Sequence, residues 1–173
     1  EHAFSPPAAL PAPAELAAAL AARLCHDFIS PASAIVSGVD LLEDPDSQDL
    51  RDDALNLIAS SARKLGGLLQ FCRVAFGASA AADAFDPREL QKLTEAVFEH
   101  QRADLDWDVN LASLNKPSAR ALLNLAQLGG SALPRGGQAR VSATESDGAI
   151  KLLLNASGPS VKLRQEVADG LRA

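Results

Sequence analysis

Between Glu15 and Glu43 the apolar residues recur at helical spacing. Turned by about 100° per residue, Leu20, Leu24, Phe28, Pro31, Ile35, Val39 and Leu42 fall within an arc of about 100°. That arc is a single apolar seam, roughly 45 Å long at the rise of a continuous helix. The polar run DPDSQD over residues 44–49 ends the pattern as a short turn. A second helical pattern follows from Asp49 to Phe76, with Ala54, Leu57, Ile58, Ser61, Leu65, Leu68 and Cys72 on one face. So short a turn makes the two helices an antiparallel hairpin. A lone hairpin cannot cover two such seams, so two copies are expected to meet as a four-helix bundle, a homodimer.

After the small, weakly patterned stretch GASAAADAF the pattern changes. Asp86-Pro87-Arg88-Glu89 is a helix start, with Asp as N-cap and Pro in the first turn, and the helix should reach about His100. LDWDVNL alternates like a strand, and a further helix is expected from Pro117 to Leu133. QARVSATES and AIKLLLNAS flank Asp147-Gly148, a hairpin turn signal, and the closing VKLRQEVADGLRA reads as helical. Helix, strand, helix, strand, strand is the order of an α+β sandwich, distinct from the front hairpin. The divisions are a flexible lead over 1–14, the hairpin over 15–78, a linker over 79–85 and the α+β unit over 86–173.

Composition narrows the function. Apolar residues make up 47% of the 173 residues but aromatics only 4%, which favours helices packed through small side chains. The net charge of −6 comes without a basic stripe, so nucleic acid is not an expected partner. No apolar run approaches the roughly 20 residues of a membrane span, and the proline-rich start lacks the charged and apolar regions of a signal peptide. A soluble, cytoplasmic protein is expected. Cys25 and Cys72 form no disulfide framework or metal-ligand spacing and read as small apolar residues in a reducing compartment.

The chemistry is concentrated in CHDFISPASAI, residues 25–35. His26 falls about 190° from the centre of the apolar arc and so faces water. Arg23, Ser30, Ser33 and Ser37 share its broad face, and Pro31 stands five residues on. The proline has no N–H for the carbonyl four residues earlier, so a bend just after His26 is expected. The small serines leave room for a second protein to come close. An exposed imidazole titrates near neutrality and is a nucleophile when neutral, and Asp27 can fix its tautomer or take its proton. Cys25, His26 and Asp27 are not a protease triad, because adjacent helical residues diverge by about 100°. His2 and His100 read as ordinary surface residues. Arg63, Lys64 and Arg73 read as a solvated face, with a basic patch for an acidic partner as the alternative.

HDFISP resembles the H-box of two-component sensor kinases: a histidine, an acidic residue, an apolar residue, two more, then proline. Residues 20–43, LAARLCHDFISPASAIVSGVDLLE, and the second helix, DALNLIASSARKLGGLLQFCRVAFG, are similar to the ChpT family of alphaproteobacterial histidine phosphotransferases. The resemblance implies that His26 is the phosphoacceptor, with Asp27 orienting or deprotonating it and Arg23 as a candidate phosphoryl contact. Ser30, Pro31, Ser33 and Ser37 would form the partner-binding surface. It implies a receiver domain of a hybrid histidine kinase as donor and cell-cycle response regulators as acceptors. It implies no cofactor of the protein's own, since the receiver brings the Mg²⁺. The family and the kinase fold continue with another helix and further strands, so the sheet expected up to Ala173 is short, either because the sequence is trimmed there or because the edge is left open.

A sensor kinase would place an ATP-binding domain after its hairpin, and the back half has that element order. Kinase domains carry N-L-x-x-N-A, whose second Asn holds Mg²⁺, whereas NLAQLGGSAL keeps Asn124 but puts Leu128 in that position. A leucine cannot ligate a cation that requires oxygen. Where the kinases carry D-x-G-x-G, this chain has ASGPS, with Ala156 in place of the adenine-binding Asp. The expectation is a degenerate kinase-like domain serving as a docking surface, with Asn124 pinning its helix. The rival readings are an ATP-dependent kinase with a divergent site and a non-catalytic dimeric scaffold that binds receivers.

Overall fold

The computed structural model describes residues 12–77 and 83–171. Helix α1 spans Pro13–Glu43 and α2 spans Arg51–Ala75, joined by a short 3-10 helix over Pro45–Leu50. α1 begins ahead of the apolar pattern because Pro13 suits the first turn and the Glu15 carboxylate accepts the Ala12 N–H at 3.1 Å. Most of the expected lead lies outside the described residues. The turn between the helices is more regular than a loop: Asp44 caps it, accepting the Asp46 N–H at 3.0 Å and the Ser47 hydroxyl at 2.7 Å. These bonds favour the charged carboxylate and hold its pKa below the ordinary carboxylate value.

The helices of the hairpin come closest at Gly38, which is buried. A Cβ there would stand 2.6 Å from Ile58 Cγ1 and 3.1 Å from the Ala54 carbonyl oxygen. Only a bare Cα admits that approach. α1 runs unbroken through Pro31, whose ring is buried. The expectation that Pro31 forms part of a partner-binding surface is corrected, because a buried ring is not offered to a partner.

The second half begins with β1 (Ala84–Phe85) and α3 (Pro87–Phe98), capped by Asp86, whose carboxylate accepts the Arg88 N–H at 2.8 Å. Then come β2 (Ala103–Val109), β3 (Leu114–Asn115), α4 (Lys116–Ser131), β4 (Gly137–Ser146), β5 (Ala149–Ser157) and α5 (Gln165–Gly170). The main sheet has the order β2-β4-β5, with β2 parallel to β4 and β5 antiparallel. A parallel neighbour requires a crossover, and α4 supplies it. Asp147 and Gly148 both take positive φ, 53° and 73°, so they form the two-residue turn that the sequence signals. β1 pairs with β3 in a separate two-stranded ladder. Neither was expected. Ala84 and Phe85 fall at the end of the stretch read as linker, most of which lies outside the described residues. The closing helix is shorter than its pattern suggested and starts at Gln165.

One core serves both halves. Leu68, Phe71 and Ala75 of α2 pack with Leu90, Val97 and Phe98 of α3, Leu122, Leu123 and Ala126 of α4, and Ala139, Val141 and Ala143 of β4. The C-terminal half of α2 is thus as much a part of the α+β unit as of the hairpin. This clamps α3 and α4 beside the middle of α1, where His26 sits. Arg120 of α4 adds a tether, donating to the carbonyl of Gly77 at the end of α2. The outer sheet face stays polar, with Arg140 bridging Asp106 at 3.5 Å and Asp108 at 2.7 Å.

Candidate functional site

His26 projects from α1 with 84% of its side chain exposed, so it carries almost no packing. Its Nδ1 lies 3.1 Å from Asp27 Oδ1. An ionised carboxylate can only accept, so Nδ1 carries the proton in this contact and Nε2 is left with its lone pair free. Asp27 is held in turn, because Arg23 Nε donates to its other oxygen at 2.9 Å from one helical turn away. The three side chains form a chain, Arg23 to Asp27 to His26, that ends in an unencumbered nitrogen facing water. Such a nitrogen is a nucleophile.

Ser30, Ser33 and Ser37 lie at helical spacing from His26 and all are exposed. They make a low, polar strip along α1. Cys25 is exposed as well, whereas Cys72 is half-buried against the core. Burial pushes the Cys72 thiol up to about 11, with the nearby Asp27 carboxylate acting in the same direction. It is an inert neighbour of the site.

Beside His26 the hairpin and the α+β unit enclose a cleft of about 270 Å³. Arg23, His26, Asp27 and Ser30 form one wall, Lys64 and Leu68 of α2 a second, and His100 and Gln101, just past α3, a third. Gln127 and Ser131 of α4 close it. Sequence reasoning placed His100 on the surface and Lys64 on a solvated face, with a basic patch for an acidic partner as the alternative. His100 is exposed, and both residues line the cleft with His26. Their remoteness along the chain hid this shared cleft, which depends on how α3 docks against α2. His2 lies outside the described residues.

The two positions compared above with the nucleotide ligands of kinases come together. Leu128 and Ala156 line one apolar cleft of about 310 Å³ with Leu125, Leu152, Leu154, Val161 and Leu163. Magnesium and an adenine amino group both need oxygen partners, and this lining offers none from its side chains. Asn124 turns its amide back to the Arg120 carbonyl at 2.8 Å, pinning its own helix.

The family model for the histidine phosphotransferase C-terminal domain matches residues 87–173. Protein phosphotransferase ChpT of Brucella abortus (strain 2308) is 35% identical over 150 residues, which cover 86% of this chain and 70% of that protein. A solved bacterial phosphotransferase aligns with a TM-score of 0.78 at 34% identity, covering 92% of this chain and 75% of that one. The fold and the family model place the chain among the histidine phosphotransferases, and it belongs to the ChpT family of that class.

Proposed function

We propose that this protein carries a phosphoryl group on His26 between the aspartyl phosphates of receiver domains in a two-component phosphorelay. The observation that carries the reading is the exposed His26 whose Nδ1 lies 3.1 Å from Asp27 Oδ1, an arrangement that leaves Nε2 for an incoming phosphoryl group. In the accepting step the Nε2 lone pair attacks phosphorus and the phosphorus–oxygen bond of the aspartyl phosphate breaks. The electron pair leaves with the receiver's carboxylate, and the Nδ1 proton moves toward Asp27. In the donating step a second receiver's aspartate takes the phosphoryl group and the imidazole recovers its proton. Such transfer depends mainly on positioning and charge neutralisation. The receiver supplies the Mg²⁺, and this chain supplies the aligned nucleophile.

The docking surface is the serine strip of Ser30, Ser33 and Ser37 with the rim of the cleft. The donor is the receiver of a hybrid histidine kinase and the acceptors are response regulators. No ATP is used, as the apolar contacts of Leu128 and Ala156 support. The protein works as a homodimer. No helix among the described residues is long and apolar enough to cross a membrane, and the reading places the protein in the cytoplasm with its receivers.

The test is to mix the purified protein with a phosphorylated receiver and follow acid-labile phosphate. Wild type should take the label, and His26→Ala should take none while keeping its helical circular dichroism, because an exposed side chain contributes little to stability. Label on the His26→Ala variant would remove the assignment. Label acquired from Mg-ATP without any receiver would favour a kinase, and receiver binding without label a scaffold.

A further inference from the structure

The cleft beside His26 holds a charge that the proposed transfer has not yet used. Lys64 is half-buried on α2 and lines the cleft together with His26. Among the described residues it makes no ion pair or hydrogen bond. The other charged or titratable groups facing the cleft are Arg23 and Asp27 of α1 and His100 beyond α3, while α4 contributes only the neutral Gln127 and Ser131. Arg23 and Asp27 neutralise each other. Lys64 therefore leaves a local positive charge next to the nucleophile, in a chain whose net charge is −6.

Lys64 brings to the cleft a positive charge that no carboxylate answers, so the site favours an anion. The anion that belongs beside His26 is a phosphoryl group. We propose that Lys64 is a catalytic residue of the transfer, its ammonium meeting the phosphoryl oxygens as the group reaches and rests on Nε2. The inference rests on the reading of His26 as the phosphoryl carrier. In the transition state negative charge is spread over the transferring oxygens, and a cation already in place stabilises it without reorganisation. Lysine suits the task because its long stem lets a compact charge follow the group. Gln101 and Gln127, on the far wall, offer amide donors to the same oxygens.

Phosphoramidate tests this without any receiver. Nε2 attacks its phosphorus, the phosphorus–nitrogen bond breaks, ammonia leaves, and the Nδ1 proton passes through Asp27 to water. Phosphorus NMR follows the signal of phospho-His26, identified by its loss in His26→Ala. Lys64→Ala and Lys64→Gln should be phosphorylated about tenfold more slowly than wild type, and Lys64→Arg should retain most of the rate. The phosphoryl titration midpoint should also rise in Lys64→Ala, since a nearby cation favours the dianion. A purely structural lysine would move neither the midpoint nor the contrast between Arg and Gln. Rate and midpoint unchanged in Lys64→Ala would overturn the inference, as would equal losses in all three variants. A wild type that shows no phospho-His26 signal would overturn the reading of the site itself.

Discussion

At the scale of single residues the site is a short relay of charge, and each member has a separable part. Asp27 lies 3.1 Å from His26 Nδ1 and accepts from Arg23 at 2.9 Å, so in the proposed transfer it would both fix the tautomer and answer the charge that develops on the ring. Asp27→Asn keeps the shape but loses the charge, and its amide can turn a donor toward the ring. Transfer should slow by about 100-fold, the scale of lost acid–base assistance, while receiver affinity stays near wild type. A variant at full rate would reduce Asp27 to a surface residue. Cys72 tests the surroundings. Burial raises its thiol from 9.0 to about 11, so the folded state holds a proton that the unfolded chain releases earlier. That contribution is complete below pH 9 and is lost as pH climbs toward 11. The melting temperature of wild type should therefore fall faster across this window than that of Cys72→Ala, and parallel curves would show that the thiol is not shielded. The histidine and its acidic neighbour were legible in the sequence because they are consecutive in the chain, within one short motif. Lys64, His100 and Gln101 were not, because tertiary packing alone brings them to the cleft beside His26.

At the scale of elements the hairpin was the most legible part, since two long runs at one period joined by a short polar turn allow few arrangements. The hairpin of β4 and β5 was equally plain from Asp147-Gly148. β1 and β3 escaped because two-residue strands are too short to show a period. The parallel pairing of β2 with β4 was also hidden, as alternation does not reveal strand direction. Pro31 misled for a physical reason: it shares the helix face of Leu24, Phe28 and Ile35, so its ring is buried and not offered to a partner. Gly38 shows how narrow the packing between α1 and α2 is. Gly38→Ala should gain about 1 kcal/mol of helix propensity. The new Cβ would press on Ile58 Cγ1 and the Ala54 carbonyl, and overpacking of that kind costs about 1–3 kcal/mol. A net loss of about 1 kcal/mol is expected in chemical denaturation. Adding Ile58→Ala removes the clashing atom, so the two changes should be less harmful together than their separate losses imply. Strict additivity would show that α1 shifts to make room.

At the scale of the whole molecule the hairpin has two flanks with different fates. One flank meets α3 and α4 through Lys64, Leu68 and Phe71 and carries the cleft. The opposite flank leaves apolar side chains in water: Ile29, Val36 and Val39 on α1 and Leu55 and Leu69 on α2, exposed by 39% or more. Ile29 and Val36 are seven residues apart, and Leu55, Ala62 and Leu69 repeat at the same interval. Such repeats form the narrow seam of helices that pack side by side. The sequence pattern places Leu24, Ile35, Leu57, Leu65 and Leu68 in the contact between copies. Within one copy Leu68 is buried and Leu24, Ile35 and Leu65 are half-buried, while Leu57 stays exposed. The homodimer we propose would therefore meet through the other stripe, which turns about 100° from the α1–α2 contact and leaves both His26 sites open. Val36→Glu places a charge in that stripe without touching the core. It should convert a dimer into a folded monomer, visible as a halved mass in sedimentation with helical circular dichroism intact. Leu65→Glu should behave differently, unfolding the hairpin rather than parting two copies. A Val36→Glu variant that remains a dimer would move the interface away from this face, and a wild type that sediments as a monomer at micromolar concentration would remove the dimer altogether.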